Sequence, residues 1–463
     1  MTYKNHIEKG LLLCWILILF SINSKFYELN QFYKYEISLT ENIVNIFNYL
    51  RFYWPFLILF FFLIIFSFLK NKFNYILFLF FIYFFYQFIL AFILNYTVNT
   101  EVNANFERKI EDYQLLANAI SALFIFYYSN ALGLKNFYKK LLIILITFIV
   151  LISIFFTSQL IFEFLSNKNL FYIYGTSTLS PDKLPLSQAN LRVTGLSRML
   201  LLIFFLFYFI NLSNPKIKLV KYLSLTIIFV CIFFIYGMQS RGSWVGILLL
   251  ILLHIFFHKK NFKKSLTVLL VIFMAIFLYE VILKIKSHAA KNESTENTIL
   301  LKELKKNQER LISTHSTSGR TVIWNNIITI IKEDKIIFGK GPQSDRHLIT
   351  EYILKQKKGI DYTIYEHNAS NAILYSYLCA GVIGFLILIC IYLNTIILIY
   401  KNIFVVKNFS KKNILINFST VTLLYLLLRS VFENSFSVFG IDFVFFILSY
   451  FIAQNTEVSQ KKK

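Results

Sequence analysis

The chain has 463 residues, of which 57% are hydrophobic and 19% aromatic, and its formal net charge is +23. This apolar share, with 53 Phe, exceeds what a soluble core can bury, which excludes an ordinary soluble protein. Apolar runs of about 17 to 25 residues, the length of a transmembrane helix, recur along the chain. The sequence therefore predicts an all-α polytopic membrane protein without strands.

Twelve membrane spans are predicted within a single membrane domain, residues 1–463. In chain order they cover 7–22, 52–69, 74–95, 113–132, 140–158, 195–213, 219–237, 243–257, 265–285, 371–400, 414–430 and 437–453. The first lacks a small-residue cleavage site, so we expect a retained anchor and not a removed signal peptide. All twelve are expected to be continuous helices.

The distribution of lysine predicts the orientation of the spans. Short segments such as KNKFN, LKNFYKK and HKKNFKKS all face the cytoplasm if the N-terminus lies there, as the positive-inside rule prefers. Both termini are then cytoplasmic, and a loop at 159–194 and a large loop at 286–370 lie on the outer side of the membrane. Because the basic residues are spread over short loops, we expect membrane lipids as partners and no nucleic acid.

The arginines follow a different pattern from the lysines. Topology needs only positive charge, whereas a planar guanidinium grips phosphate through two parallel hydrogen bonds. The pattern favours an outer site for an anionic ligand, and a genome that uses arginine sparingly is the alternative explanation. The nine arginines that lie on or near the predicted outer side are Arg51, Arg108, Arg192, Arg198, Arg241, Arg310, Arg320, Arg346 and Arg429.

Four side chains are the first candidates for that outer site. Arg241, in QSRG, lies in a hairpin so short that its side chain either snorkels to water or binds a lipid phosphate at headgroup depth. Arg192 and Arg198, in LRVTGLSR, frame the start of the sixth span in the same layer. His367 immediately precedes the tenth span, where a neutral imidazole either accepts a hydroxyl proton or merely bonds backbone or water.

The large outer loop contains a predicted amphipathic helix in the sequence STSGRTVIWNNIITIIKEDK. Trp324, Ile327, Ile328 and Ile331 recur at spacings of three and four, and Arg320 lies one turn before Trp324 on the same face. The following FGKGPQ is predicted to be a turn, because it lacks the further glycine and the Lys-Ser/Thr pair of a phosphate loop.

Three blocks in order resemble the O-antigen ligase family, which is similar to O-antigen polymerases and bacterial protein O-oligosaccharyltransferases. The blocks are QSRGSWVGILLLIL, SGRTVIWNNIITIIKEDKIIFGKG, and an HN pair leading into a span with GVIG. LRVTGLSRML resembles the stretch that precedes them, so the resemblance covers residues 190–400. It implies a GT-C-like glycosyltransferase with about 12 transmembrane helices, acting on the periplasmic face of the bacterial inner membrane.

The resemblance also implies a reaction. A glycan passes from undecaprenyl pyrophosphate to a sugar hydroxyl of lipid A core, with inversion and without a nucleotide sugar, cofactor or metal. Arg241 and Arg320 match the two family arginines that grip the pyrophosphate, and His367 matches the histidine proposed to activate the acceptor. The candidate substrate-binding residues are Arg192, Arg198, Trp324, Ser370 and Asn371.

One departure from the family pattern concerns the base. In many relatives the histidine and asparagine stand where Ser370 and Asn371 stand here, so His367 lies about one helical turn earlier, and Glu366 is the alternative base. The nearest alternative function is an O-antigen polymerase, which uses a second lipid-linked glycan as acceptor. Protein O-glycosylation and the flipping of a lipid-linked glycan are further alternatives.

Overall fold

A computed structural model describes residues 2–22, 53–64, 74–93, 102–134, 136–166, 193–213, 217–238, 240–257, 262–291, 320–356, 369–405 and 414–460. Within these ranges the regular elements are helices and no strand occurs, which confirms the predicted all-α class. Because helices satisfy their own backbone hydrogen bonds, this composition suits a chain that lies in lipid.

The helices are numbered here in chain order. They are α1 (Thr2–Ile22), α2 (Tyr53–Ile64), α3 (Tyr75–Ile93), α4 (Val102–Ala131), α5 (Phe137–Ser166), α6 (Val193–Leu212), α7 (Lys218–Gly237), α8 (Arg241–Phe257), α9 (Phe262–Lys291), α10 (Arg320–Glu333), α11 (Ser344–Gln356), α12 (Ala372–Tyr400), α13 (Ile414–Ser430) and α14 (Ile441–Gln460).

Each predicted span coincides with one of these helices, α1 to α9 and α12 to α14. Among the described residues, 5 helical segments are long and apolar enough to cross a membrane, and they belong to α3, α5, α6, α7 and α12. Shorter apolar segments lie in α2, α8, α9, α13 and α14. The chain is therefore a multi-pass membrane protein, while the count of twelve stays a prediction.

The predicted outer loops are partly helical. α5 continues to Ser166, beyond the predicted start of the first loop at 159, and α9 continues to Lys291, beyond the predicted start of the second at 286. Residues 167–192, 292–319 and 357–368 of these loops lie outside the described residues. The second loop contributes α10 and α11.

Helix α6 occupies the centre of the bundle. Its apolar segment Gly195–Leu212 is 78% buried, against 33% to 39% for the other four long spans, so those four expose much more of their surface to lipid. α8 approaches α6 and α13 closely at Gly246, where an added Cβ would lie 2.6 Å from Leu201 and 3.0 Å from Tyr425. Small residues permit such close helix contacts in membranes.

A cluster of phenylalanines ties α3 to the connection between α13 and α14. Phe80 meets Phe436, Phe443 and Phe446 edge to face, with ring centroids 5.5 to 6.4 Å apart. Phe436 lies in the single 3₁₀ turn Ser435–Ser437 and stacks on Phe446 at 4.1 Å. These contacts hold residues 431–440 against the bundle, and this connection supplies several polar groups described below.

Helix α12 is broken, although we expected a continuous span. Gly381 has φ 62° and ψ −157°, a conformation that is essentially restricted to glycine. The break removes helical backbone hydrogen bonds, and residues 337–341 replace them. The replacement bonds run from Val382 N to Ile337 O (2.9 Å), from Lys340 N to Leu378 O (2.9 Å) and from Gly341 N to Cys379 O (3.0 Å).

Helices α10 and α11 cover the start of α12 and form a second small core. The amphipathic helix is present as predicted, but Ile330 is buried whereas Ile328 is 43% exposed, so the buried face is rotated from the predicted one. The rotation follows from where α12 lies, which the spacing of apolar residues alone does not reveal. The buried members of this core are Ile327, Ile330, Ile336, Ile349, Ala369, Tyr375, Leu378 and Cys379.

Gly381→Ala should destabilise the protein. An added Cβ would lie 2.1 Å from Ile337 O, and the backbone conformation alone costs an alanine about 1 to 3 kcal/mol. Thermal unfolding in detergent measures the effect. Gly133→Ala is the matched control, since Gly133 also has positive φ but an added Cβ meets nothing within 4 Å. Equal melting temperatures for the two variants would contradict the docking of residues 337–341 on α12.

Candidate functional site

One end of the bundle gathers charged side chains from helices that are far apart in sequence. The groups come from the second turn of α6, from the first turns of α8, α10 and α14, from the last turn of α13, and from the connection 431–440. In the predicted topology all of these positions lie on the outer side. We call this set of groups the polar end.

Asp442 is the most buried charged group of this end, and two arginines neutralise it. Arg198 Nη1 donates to Asp442 Oδ2 at 2.8 Å and Arg429 Nε donates to the same oxygen at 3.2 Å. Ser435 Oγ adds a third hydrogen bond at 3.3 Å. The Asp442 side chain is only 3% exposed, and a carboxylate so deep requires compensating charge. Because two guanidinium groups share one carboxylate, this triad carries net positive charge.

A second ion pair lies nearer to solvent and is linked to the first. Arg320 Nη2, at the first residue of α10, donates to Glu433 Oε1 at 2.9 Å. Both side chains are about 30% exposed, with values of 31% and 26%. Glu433 also interacts electrostatically with Arg429, one helical turn earlier in the chain. Glu433 therefore joins the amphipathic helix of the outer loop to the buried triad.

The start of α8 lies beside Arg429. An added Cβ on Gly242 would be 3.6 Å from Arg429 Nη1, so the backbone of this first turn borders the guanidinium. Ser240 fixes the turn, since its hydroxyl lies 2.8 Å from Ser197 Oγ and 3.0 Å from Ser243 Oγ. Arg241 begins the helix, and its side chain is exposed. The positive end of the helix dipole adds to the positive potential there.

The polar end brings together three of the arginines predicted to serve the site. Arg198 and Arg320 each pair with an acid of the same network, and Arg241 begins the helix whose first turn touches Arg429. With Arg429, three guanidinium groups pair with two carboxylates, and Arg241 begins the helix turn that borders them. Arg192 and His367 lie outside the described residues, as does Glu366. The predicted roles of these three stay predictions.

Trp324 and Asn371 have defined structural contacts. Trp324 Nε1 donates to Ala369 O at 3.2 Å, and its ring centroid is 6.2 Å from that of Phe432. Asn371 caps α12, because its side-chain oxygen accepts the N–H groups of the second and third helical residues. Its amide nitrogen also donates to Val431 O at 2.9 Å. Ser370, between the two, is partly exposed with φ 47°. Substrate contact by these residues stays a prediction.

Sequence reasoning assigned no role to Glu433, Asp442 or Asp345, and none beyond the general pattern to Arg429. The signal for the first two was the short stretch ENSFSVFGID, which places Glu433 and Asn434 between the last two predicted spans and Asp442 near the start of the last one. Acids on a short outer turn next to arginines of neighbouring spans are candidates for ion pairs. Asp345 carried no comparable signal, since it lies in an ordinary polar stretch.

Asp345 is a carboxyl buried at the first turn of α11, with 1% of its surface exposed. Its Oδ2 accepts the N–H of Ala369 at 2.8 Å. Burial raises the pKa of Asp345, while the Ala369 N–H and the Arg346 charge act in the opposite direction. Within the described residues no group of three or more His, Cys, Asp or Glu side chains is arranged to hold a metal ion.

Comparison with known proteins assigns the middle of the chain to a family. Residues 226–389 match the family model described as O-antigen ligase. This part of the chain belongs to the O-antigen ligase family. An uncharacterized protein of Haemophilus influenzae is 26% identical over 164 residues, which are 35% of this chain and 40% of that protein. The alignment thus spans well under half of that relative's length. No solved structure matches the chain.

The O-antigen ligase segment supplies only part of the polar end. Arg241, Arg320 and the break in α12 at Gly381 lie inside residues 226–389. Arg198 precedes this segment, and Arg429, Glu433 and Asp442 follow it. The acids that hold these arginines in place therefore come from the last helix and from the connection that precedes it. The O-antigen ligase segment and its flanking helices form one network.

Asp442→Ala should lower the stability of the protein more than Glu433→Ala does. Removing the buried carboxylate leaves two arginines side by side without their shared partner, a loss of about 3 to 5 kcal/mol. The partly exposed Glu433 contributes about 0 to 1 kcal/mol, since water screens its pair with Arg320. Melting temperatures of purified protein in detergent test this order. A larger loss for Glu433→Ala would contradict the assignment of Asp442 as the central anion.

Asp345→Asn should remove a pH dependence of stability. Because the pKa of Asp345 is raised in the folded protein, its own contribution to stability is fully present below the ordinary aspartate pKa of 3.8 and is lost as the pH rises through the raised value. The amide does not ionise, so the variant should gain relative stability over that window and keep it at neutral pH. Melting temperature against pH measures this. Glu351→Gln, an exposed acid on the same helix, controls for the loss of one negative charge.

Proposed function

We propose that the protein is an inner-membrane glycosyltransferase that moves an O-antigen glycan from undecaprenyl pyrophosphate to a sugar hydroxyl of lipid A core. One observation carries the proposal: four arginines lie together at one end of a membrane bundle whose middle segment belongs to the O-antigen ligase family. A lipid pyrophosphate presents its negative charge at headgroup depth, where such an end of the bundle meets it. In the predicted orientation this face is periplasmic.

The arginines suit the leaving group. When the glycosidic bond breaks, the anomeric C–O electron pair stays with the pyrophosphate oxygen, and its growing charge is stabilised by nearby guanidinium groups. Arg241 and Arg320 are the proposed pyrophosphate ligands. The buried triad of Arg198, Arg429 and Asp442 keeps a positive potential behind them. Because Arg198, Arg320 and Arg429 are held in place by acids, these three need little reorganisation as the charge develops.

The acceptor completes the reaction. A sugar hydroxyl oxygen attacks the anomeric carbon from the side opposite the pyrophosphate, so the configuration inverts. The proton of the attacking hydroxyl passes to a base. We propose that this base is His367, two residues before the buried Ala369. No nucleotide sugar or metal takes part in this scheme. Ser370 and Asn371 follow His367 closely in sequence, Trp324 donates to Ala369 O, and all three are proposed to contact substrate.

The backbone contacts at the break in α12 argue against a flippase. Broken helices of transporters expose free backbone groups to a substrate cavity near the bilayer midplane. Here the backbone groups at Gly381 are instead bonded to residues 337–341 of the outer loop. Tyr86 of α3 also donates to Phe338 O at 2.8 Å, which holds the inserted segment from the other side. The break therefore serves to dock the loop.

Deletion of the gene tests ligase against polymerase activity. Gel analysis of lipopolysaccharide and of the lipid-linked pool should show bare lipid A core, with long chains accumulating on the undecaprenyl carrier. Single repeat units attached to core would instead identify a polymerase. Transfer of glycan to protein would identify a protein O-oligosaccharyltransferase. Unchanged lipopolysaccharide together with an unchanged lipid-linked pool would overturn the proposal.

Arg241→Ala and Arg320→Ala should each reduce glycan transfer by about 10²-fold or more in the complemented deletion strain, because each removes a contact that strengthens as the leaving group departs. Arg320→Lys should recover only part of the activity, since lysine keeps the charge but not the two-pronged geometry. Lys332→Ala, at the other end of α10, is the matched control and should transfer normally. Normal product from Arg320→Ala at equal membrane levels would remove Arg320 from the site.

A further inference from the structure

A three-residue turn, Ala369 to Asn371, leads from the outer loop into α12. Its central residue, Ser370, has φ 47°, in the left-handed region that non-glycine residues seldom adopt. Such a conformation costs free energy and persists only where the surrounding structure fixes it. Ser370 is also partly exposed, whereas both of its neighbours are buried. The turn therefore presents one side chain outward from a firmly held backbone.

Four hydrogen bonds from three other parts of the chain fix this turn. Two of them hold Ala369 from opposite sides, one through its N–H and one through its carbonyl, and two hold Asn371 from the connection between α13 and α14. The bonds are Ala369 N to Asp345 Oδ2 (2.8 Å), Trp324 Nε1 to Ala369 O (3.2 Å), Asn371 N to Asn434 Oδ1 (3.3 Å) and Asn371 Nδ2 to Val431 O (2.9 Å).

Asp345 differs from the other three anchors because it is a buried acid. It is 1% exposed, and Ala369, which it binds, is fully buried. A buried carboxylate is expensive to maintain, and a hydrogen bond to it is stronger than one to a neutral acceptor. Ser344, the preceding residue, is equally buried but contacts Cys379 of α12 and not the turn. The hydrogen bond from Ala369 N to Asp345 is thus the strongest contact that fixes the backbone just before Ser370.

We propose that Asp345 is a positioning residue for glycan transfer, which acts through Ala369 to hold Ser370 at the mouth of the polar end. This proposal rests on the proposed function and deepens it on the acceptor side. The turn is connected through Asn434 to the neighbouring Glu433, the partner of Arg320. Because Ser370 is proposed to contact substrate, fixing the turn sets the position of the acceptor hydroxyl relative to the leaving pyrophosphate. The donor-binding arginines themselves do not contact Asp345 through any of these bonds.

The kinetic test compares two substitutions at one position. Asp345→Ala removes the acceptor of the Ala369 N–H, and a misplaced turn should lower kcat by about 10²-fold. The KM for the lipid-linked donor should stay within about twofold, since the pyrophosphate ligands are untouched. Asp345→Asn keeps an acceptor oxygen and should recover most of kcat. Ser344→Ala, the matched control at the adjacent buried position, should keep wild-type kinetics.

The assay uses full-length protein with membrane extract of the deletion strain, which supplies both lipid-linked glycan and bare lipid A core. Wild-type transfer with unchanged kcat in Asp345→Ala overturns the positioning role alone. A kcat loss of equal size in Asp345→Asn and Ser344→Ala also overturns it, because general damage to the start of α11 then explains the result. Absence of transfer by the wild type overturns both this proposal and the proposed function.

Amide hydrogen exchange tests the anchoring without relying on activity. In full-length protein in detergent, peptides covering the turn should exchange at least about tenfold faster in Asp345→Ala than in Ser344→Ala, because the lost bond frees the N-terminal side of the turn. Peptides from α6 should exchange alike in all variants. Equal exchange of the turn in both variants would overturn the proposal.

Discussion

The polar end depends on one buried carboxylate. Asp442 lies where three helices meet, and at that depth it is tolerable only because Arg198 and Arg429 approach the same oxygen. The requirement is mutual, since two adjacent guanidinium groups repel one another without an anion between them. The triad therefore fixes the relative positions of α6, α13 and α14. It also leaves net positive charge at the surface where an anionic ligand would arrive.

A second constraint is the need to satisfy backbone groups at the break in α12. In lipid an unpaired N–H or C=O costs several kcal/mol, so an interruption of a helix must be filled by other protein. Residues 337–341 fill it, with Gly339 and Gly381 in close backbone contact that leaves no room for a Cβ on either. The outer loop is thereby locked to the bundle, and α10 with Arg320 is held above the first turn of α12. The charge network and the backbone network thus fix the same loop from two sides.

The sequence predicts the class of the fold well and the contacts of the site only in part. The helical segments follow from the length of apolar runs, and the outer arginines from the difference between arginine and lysine. The pairing of Arg198 with Asp442 joins residues 244 positions apart, which no local pattern reveals. The break at Gly381 was missed because glycines within an apolar run are compatible with a continuous helix. The burial of Ile330 depends on where α12 lies, which periodicity alone does not determine.

The O-antigen ligase segment and its flanking helices each supply part of the charge network. Arg241 and Arg320 lie within residues 226–389, but the acids that orient the arginines lie beyond that segment. Glu433 is central to this division, because it pairs with Arg320 and interacts with Arg429. A change of acid in the last outer turn therefore alters both ion pairs while leaving the family segment intact. Glu433 of the connection between α13 and α14 and Asp442 at the start of α14 therefore tune the electrostatics of this end, and together they set how much positive charge an anionic ligand would meet.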